Sequence, residues 1–247
     1  MHPEGGFPLN VHDVGFTYTS SNAPALAGVN FFLEAGEIVG LVGPNGSGKS
    51  TLIRLIFNLM ERQDGAILIN GHDHRSERSR AETIYLPSDN ELPEFLTGTE
   101  YLQVLTRLYR EIQRADAKSI ERQFEKFGMG GRANHLIEDY SHGMQKKLLL
   151  SGAFLLQRRL TVIDETLNGI DLDAVEVCKA EFRDMRSRGQ SVLLCSHDFS
   201  LLEDLADRVL VLRAGKLVGD VEVGAVLEGG GRLSQSVREV LESGYPA

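Results

Sequence analysis

The spacing of apolar positions changes along the chain between a strand-like and a helix-like period. Alternating or short continuous apolar runs predict strands at 7–18, 29–36, 38–42, 66–73, 83–87, 159–165 and 191–198, and a hairpin over 208–223 with its turn at Ala214-Gly215. Apolar residues three and four positions apart predict helices at 50–60, 96–112, 115–129, 144–157, 171–189 and 233–244. Strands that alternate with helices indicate an α/β fold with a mostly parallel sheet.

The predicted helices between about residues 90 and 157 follow one another without an intervening strand, which indicates a helical lobe inserted into the core. A length of 247 residues suits one large domain with such an insertion. We therefore expect a single domain over 1–222 that contains the lobe, followed by a short C-terminal extension over 223–247.

Charge and hydropathy narrow the classes of function. The chain has 26 Lys and Arg against 35 Asp and Glu, a net charge of −9, which disfavours nucleic acid as a partner. The longest apolar run, 148–156, is too short to cross a bilayer, and the first ten residues lack the basic start and apolar core of a signal peptide. Cys178 and Cys195 have neither metal-ligand nor redox spacing, so we expect two reduced thiols.

The segment GPNGSGKST (43–51) carries the most specific chemistry. Gly43, Gly48, Lys49 and Ser50 satisfy the pattern G-x-x-x-x-G-K-[ST], between a predicted strand and a predicted helix. Glycines let backbone N–H groups surround an anion, and the start of the helix adds partial positive charge. Lys49 is expected to reach the β- and γ-phosphates of a nucleotide and Ser50 to ligate Mg²⁺. The alternative is a tight turn that is merely rich in glycine.

Two acids follow the predicted strand at 159–165, and such strand ends open onto the ligand crevice of a parallel sheet. Asp164 is expected to hold Mg²⁺, directly or through water, and Glu165 to orient and polarise the water that attacks the γ-phosphate. His197 also follows a strand and could contact the γ-phosphate or that water. The alternatives are surface acids at a strand end and a structural histidine.

The basic and polar run at 72–80 is predicted to be a solvated loop, with contact to lipid or phosphate as the alternative. His72 and His74 have no acidic or thiol partners at metal spacing, so we expect no metal site there.

Taken in order, these motifs resemble the nucleotide-binding subunit of ATP-binding cassette (ABC) transporters, over about residues 7–222. The resemblance implies a P-loop NTPase core with a mostly parallel sheet, an N-terminal antiparallel β subdomain and an inserted α-helical lobe. It implies that ATP and Mg²⁺ bind, that Tyr18 stacks on adenine, and that NGID (168–171) crosses to a partner with Asp171 as its acid. The phosphate loop would also include Pro44, Asn45, Gly46, Ser47 and Thr51.

The segment YSHGMQKK (140–147) matches the family signature. Ser141 stands where a helix N-cap is expected and Gly143 leaves backbone N–H groups open, so the signature is a second anion cradle. In the family, the signature of one subunit closes over ATP on the phosphate loop of another. The resemblance implies a head-to-tail homodimer or heterodimer with a second ABC ATPase, held on the cytoplasmic face of the cell membrane by a separately encoded transmembrane permease subunit.

The chain departs from the family pattern at several positions. His142 replaces a glycine and Met144 a glutamine of the signature, and the form Tyr-Ser-x-Gly-Met resembles the branch that serves exporters. Ser88 stands where the family commonly has the glutamine that touches Mg²⁺ and senses the membrane subunit, which weakens the expectation of strong coupling to transport. Thr166 replaces the usual proline after the catalytic Glu, a change expected to be tolerated.

We therefore expect an ATP-hydrolysing subunit that powers an exporter, with its membrane contact near 88–98. One alternative is an ABC ATPase that moves no solute, although the translation type carries two cassettes and the chromosome type has a long coiled coil. The roughly 90 residues between Lys49 and Ser141 leave no room for a coiled coil. Another alternative is a regulatory cassette that binds but does not hydrolyse ATP; Ser88 favours it, whereas Glu165 and His197 oppose it.

Overall fold

The computed structural model describes residues 6–89 and 91–243 and divides the strands between two sheets. The N-terminal sheet is antiparallel and contains β1 (Leu9–Phe16), β2 (Leu26–Leu33), β4 (Asp64–Ile69) and β5 (His72–Asp73), in the order β2-β1-β4-β5. Burial alternates along β2, as expected of a strand with one face on the core.

The second sheet has six strands in the order β10-β9-β3-β8-β7-β6. These are β3 (Ile38–Val42), β6 (Thr83–Leu86), β7 (Leu160–Asp164), β8 (Ser191–Cys195), β9 (Arg208–Arg213) and β10 (Lys216–Glu222). Each neighbouring pair is parallel except β9 and β10. Every residue of β3, β7 and β8 is buried, as is typical of parallel strands covered on both faces. The predicted α/β class and mostly parallel sheet are confirmed.

The helices are α1 (Lys49–Ile56), α2 (Glu77–Ala81), α3 (Gly98–Leu108), α4 (Ala117–Lys126), α5 (His142–Leu156), α6 (Leu172–Ser187), α7 (Phe199–Leu205), α8 (Val223–Glu228) and α9 (Leu233–Ser243). Short 3-10 turns span Ile112–Ala115 and Ile137–Asp139. Across the ranges 6–89 and 91–243, no helix is both long and apolar enough to span a membrane.

The helical lobe consists of α3, α4 and the start of α5, which continues into the main core. Its first helix begins with a reciprocal cap, in which the Thr97 hydroxyl accepts from the Glu100 N–H and the Glu100 carboxylate accepts from the Thr97 N–H. The rings of Phe127, Phe154 and Phe182 pack in a row between lobe and core. Replacing the fully buried Phe154 by alanine would cost about 3–5 kcal/mol of stability.

Several predicted elements end earlier than expected. The helix predicted at 50–60 stops at Ile56, and Asn58 adopts a left-handed conformation with φ 52° that ends it.

The predicted hairpin turn is confirmed, with Ala214 at φ 45° and Gly215 at φ 76°, as a tight turn between twisted strands requires.

The prediction of a solvated loop at 72–80 is wrong. His72 and Asp73 form β5, and the Ser76 side chain caps α2 by accepting from the Ser79 N–H. The His74 side chain is buried against β4, with Nδ1 3.2 Å from the Ile67 carbonyl oxygen. The polar composition of this segment did not indicate its structure, because exposed charged residues flank the buried His74 and Ser79.

The C-terminal segment packs on the core. Leu233 and Val237 of α9 are buried, and Val240 covers Gly219 of β10. The Arg213 guanidinium donates to the Leu241 carbonyl oxygen. Residues 1–5, which bear on the expectation of no signal peptide, Asn90 in the predicted membrane-contact segment, and 244–247 of the extension lie outside the described residues.

Candidate functional site

The glycine loop at 43–48 joins β3 to α1 and leaves the start of the helix open. Gly48 occupies the N-cap position with φ 109°, and no side chain caps the helix. A Cβ on Gly48 would lie 2.7 Å from the Ala25 carbonyl oxygen, whereas a Cβ on Gly46 would meet nothing within 4 Å. The loop is thus pressed against the N-terminal sheet on one side and open on the other, and the first N–H groups of α1 remain available for an anion.

Lys49 lies inside the curve of this loop and is largely buried. Its Nζ donates to the Gly43 carbonyl oxygen over 2.8 Å and lies 3.4 Å from the Pro44 carbonyl oxygen. The Ser47 hydroxyl is buried beside them and has no hydrogen-bond partner among the residues described. A held ammonium, an unpartnered hydroxyl and open backbone N–H groups together fit a phosphate group.

Tyr18 reaches the same loop from the N-terminal sheet. Its hydroxyl lies 3.0 Å from Thr51 Oγ1, and its ring meets the edge of Phe16 at a centroid distance of 5.0 Å. The Tyr18 side chain remains partly exposed. Ser50, which precedes Thr51 in α1, is exposed. The structure thus brings the predicted adenine contact and the predicted metal hydroxyl to one helix end.

Asp164 ends β7 as a buried carboxylate with few partners. The Cys195 thiol donates to it, and the Tyr85 hydroxyl is 3.5 Å from Oδ2. Burial raises the pKa of Asp164 and the nearby charge of Glu165 raises it further, against the lowering effects of the Cys195 hydrogen bond and of Lys49. A poorly solvated carboxylate gains from a nearby cation.

The oxygen atoms of Ser50 and Asp164 are ligands that suit Mg²⁺. The described part of the chain contains no group of three or more His, Cys, Asp or Glu side chains that could hold a metal. Mg²⁺ in nucleotide sites uses one or two protein oxygens together with phosphates and water, so the Ser50 hydroxyl and the Asp164 carboxylate fit it.

Glu165 and His197 form a close pair. His197 Nε2 lies 2.8 Å from Glu165 Oε1, and both side chains are partly exposed. Glu165 has φ 57°, a left-handed backbone conformation that costs a non-glycine residue about 1–2 kcal/mol. Its N–H donates to the Cys195 carbonyl oxygen over 3.0 Å, which ties the turn to β8. The residues predicted separately are thus partners.

From the sequence, Thr166 and Cys195 are named as a departure from the family pattern and a reduced thiol, but no role at this turn is predicted for them or for Tyr85. The Thr166 hydroxyl is buried and lies 3.0 Å from the Pro87 and 3.1 Å from the Leu86 carbonyl oxygen. Tyr85 and Cys195 flank Asp164 on β6 and β8, and burial raises the pKa of Tyr85 to about 12. The sequence signal of Tyr85 and Cys195 is weak because each stands within an ordinary apolar strand.

The second predicted anion cradle begins α5. The Ser141 hydroxyl caps this helix by accepting from the Met144 N–H over 3.3 Å. A Cβ on Gly143 would have ordinary contact, 3.6 Å, with the Gly169 carbonyl oxygen. Ser141 is thus bonded within its own helix and Gly143 faces the loop 168–171, and neither contact is with the glycine loop at 43–48.

Two lysines of α5 connect the signature to that loop. Lys147 Nζ is 2.5 Å from Asp171 Oδ2, and Lys146 donates to the Asn168 carbonyl oxygen. The hydrogen bond from Lys147 lowers the pKa of Asp171, which also caps α6 by accepting from the Ala174 N–H over 2.9 Å. The signature and the predicted crossing loop therefore form one unit.

Comparison with known proteins identifies this combination of motifs. A family model described as "ABC transporter" matches residues 26–168. The Nod factor export ATP-binding protein I of Rhizobium leguminosarum bv. viciae is 29% identical over 92% of this chain and 74% of its own length. The manganese transport system ATP-binding protein MntB of Bacillus subtilis (strain 168) is 28% identical over 97% of this chain and 99% of its own length.

A solved structure of an ATP-binding subunit of an ABC transporter superposes with a TM-score of 0.86 at 29% identity. The match covers 94% of this chain and 99% of that one.

Proposed function

Because the chain belongs to the ABC transporter family, as an ATP-binding subunit that hydrolyses ATP for transport, we propose that it drives an exporter as half of a head-to-tail ATPase dimer. The partner is a second copy or another ABC ATPase, and two ATP molecules lie between the subunits. A separately encoded transmembrane permease holds the pair at the inner face of the cell membrane and carries the solute.

The observation that carries this proposal is the separation of two anion cradles within one chain. The glycine loop with Lys49 lies at the start of α1, whereas Ser141 and Gly143 lie at the start of α5 beside Gly169. Each nucleotide would then be held by the glycine loop of one subunit and by the signature of the other. ATP binding would favour the closed pair and hydrolysis would release it.

The residues of the glycine loop and the end of β7 would each bind a different part of the nucleotide and its metal. Lys49 and the N–H groups of α1 would bind the β- and γ-phosphates, and the Tyr18 ring would lie against adenine. Ser50 and Asp164 would hold Mg²⁺, which supplies positive charge against the phosphates when bound.

Glu165 would accept the proton of the attacking water. His197 occupies Oε1 of this carboxylate at 2.8 Å, so Oε2 is the oxygen that can take a hydrogen bond from water. The same contact holds the carboxylate in one orientation, which favours an in-line attack on the γ-phosphate.

The head-to-tail arrangement can be tested by mixing two inactive variants. Lys49→Ala disables the glycine loop, and Gly143→Asp places a carboxylate in the signature where the fold has room for a side chain. In a mixed dimer, both defects fall on one site and the other site is intact. We expect each variant alone to be inactive and the mixture to recover roughly a quarter of the parental ATPase rate, because half of random dimers are mixed and each mixed dimer keeps one of its two sites. No recovery in a mixture shown to exchange subunits would contradict the shared site.

Export is supported by the signature form Tyr-Ser-x-Gly-Met and by the similarity to the Nod factor export protein. The similarity to the manganese transport protein makes Mn²⁺ the necessary counter-test. The complex with its membrane partner would be assembled in inside-out vesicles, where ATP and solute can be added on the ATPase side. Stimulation of ATPase by solute added on that side supports export. Stimulation only by solute or Mn²⁺ loaded inside the vesicles contradicts it.

The contact with the membrane partner is proposed around residues 88–98. Leu92 and Leu96 pack on the core, whereas Phe95 is 78% exposed. Two of these apolar residues therefore pack on the core, and one is left exposed. Phe95 is the residue available to a partner.

A further inference from the structure

We propose that Thr166 is a positioning residue for Glu165, a role that rests on the proposed function of Glu165 in hydrolysis. Thr166 is fully buried directly after Glu165. Its hydroxyl reaches across to the end of β6, 3.0 Å from the Pro87 and 3.1 Å from the Leu86 carbonyl oxygen. No other side chain makes a hydrogen bond between this turn and those two carbonyl groups in the described structure.

The turn at Glu165 needs support because its backbone is left-handed, with φ 57°. A non-glycine residue keeps such a conformation only where its surroundings hold it. On the β8 side, the Glu165 N–H donates to the Cys195 carbonyl oxygen and the Glu165 carboxylate meets His197. On the β6 side, the hydroxyl of Thr166 provides the corresponding attachment. The turn is thus held between the two strands that flank β7.

The chemistry of the side chain is specific. A threonine hydroxyl has one proton to donate, and here it lies close to the Pro87 and Leu86 carbonyl oxygens and 3.5 Å from that of Asp164. The proline of the family pattern would supply no such donor at this position. In this chain, loss of the hydroxyl would let Glu165 leave the orientation that His197 sets, without changing the residues that bind the phosphates.

The test compares two nearly isosteric variants. Thr166→Val keeps the shape and removes the donor, and Thr166→Ser keeps the donor. We expect Thr166→Val to lower kcat about tenfold, a barrier change of about 1.4 kcal/mol. We expect KM and the Kd for ATP to stay within about twofold, because the glycine loop is unchanged. Thr166→Ser should stay within about twofold of the parental kcat. Parental turnover by Thr166→Val, or a raised KM at unchanged kcat, would overturn the proposal.

Two further variants separate this role from general damage. If Thr166 acts through Glu165, then adding Thr166→Val to Glu165→Gln should not lower the residual rate further. A further tenfold loss in the double variant would overturn the proposal. If Thr166→Val does not fold, Thr166→Ala removes the same donor with less crowding and carries the same expectations.

Glu165→Gln alone, in the same assay, separates a failure of the proposed function of Glu165 from a failure of the proposed role of Thr166. Parental turnover by Glu165→Gln contradicts the proposed function of Glu165. An inactive Glu165→Gln together with a fully active Thr166→Val contradicts only the role of Thr166.

Discussion

His197 Nε2 lies 2.8 Å from Glu165 Oε1, across the ends of the neighbouring strands β8 and β7. The contact occupies one oxygen of the carboxylate and leaves the other for water. A general base that is oriented before its substrate arrives loses less conformational entropy in reaching the reactive geometry. A single contact between two partly exposed side chains can therefore affect the rate.

Replacement of Glu165 by glutamine should separate binding from hydrolysis. The amide can still hydrogen-bond to water and to His197, but it cannot accept a proton. Glu165→Gln should therefore bind Mg-ATP as the parent does and lose nearly all turnover. ATP-bound dimers should accumulate, and gel filtration or light scattering with and without ATP would detect them. Hydrolysis at the parental rate would rule out Glu165 as the base.

Replacement of Lys49 by alanine should remove most nucleotide affinity. Lys49 is the cation held within the glycine loop, where it donates to the Gly43 carbonyl oxygen. Calorimetric titration with Mg-ATP measures the effect, and Lys118→Ala, at an exposed position of α4, controls for loss of one positive charge. Near-parental binding by Lys49→Ala would contradict its assignment to the phosphates.

Substitution of Ser88 tests whether the loss of the family's glutamine at this position changes how Mg²⁺ is bound. Ser88 is exposed after β6, and Mg²⁺ readily keeps water in place of a protein ligand. Ser88→Gln should change the basal ATPase rate by no more than about tenfold, roughly 1.4 kcal/mol, whereas Ser50→Ala should cost much more. Steady-state rates over a Mg²⁺ titration decide the matter. If Ser88→Ala is as inactive as Ser50→Ala, Ser88 is itself an essential ligand.

Phe95→Asp should abolish recovery of the membrane partner in a pull-down and leave ATP binding intact. Phe95 is largely exposed, so a charge there does not disturb the core. Leu227→Asp on α8 is the matched control, because it also places a charge at an exposed apolar position. Unchanged recovery with Phe95→Asp would place the contact elsewhere.

The buried His74 should make stability depend on pH. Burial lowers the pKa of His74, so the folded protein binds its proton less readily than the unfolded chain does. The contribution of neutral His74 is therefore complete above about pH 6.5 and falls as the pH drops below that value. Asp73 stays ionised throughout this window, because its hydrogen bond to Arg75 lowers its pKa to about 2.

Urea unfolding near pH 7.5 and near pH 5.5 would measure this effect. His74→Gln should be less stable than the parent at the higher pH but should lose less stability on acidification. An identical loss in both proteins would show that other groups set the dependence.

The sequence by itself determined the glycine loop, the strands of the central sheet and the candidate acids. The nine residues 43–51 are consecutive, so their role follows from local backbone geometry: a buried strand, glycines, and the open start of a helix. The mostly apolar runs of β3, β7 and β8 likewise predict parallel strands, because both faces of such strands are covered. Short or polar segments such as α2 were not predicted, because they contain too few apolar residues to show a helical spacing.

Tertiary structure alone decided which side chains meet around the acids. The strand order places β6 and β8 on either side of β7, although long segments of chain separate them. Thr166 thereby reaches the Leu86 carbonyl oxygen, 80 positions away in sequence, and Glu165 meets His197. No periodicity along the chain encodes such contacts, because they depend on strand order and register. The sequence therefore names the candidate groups, and the fold decides how they are held.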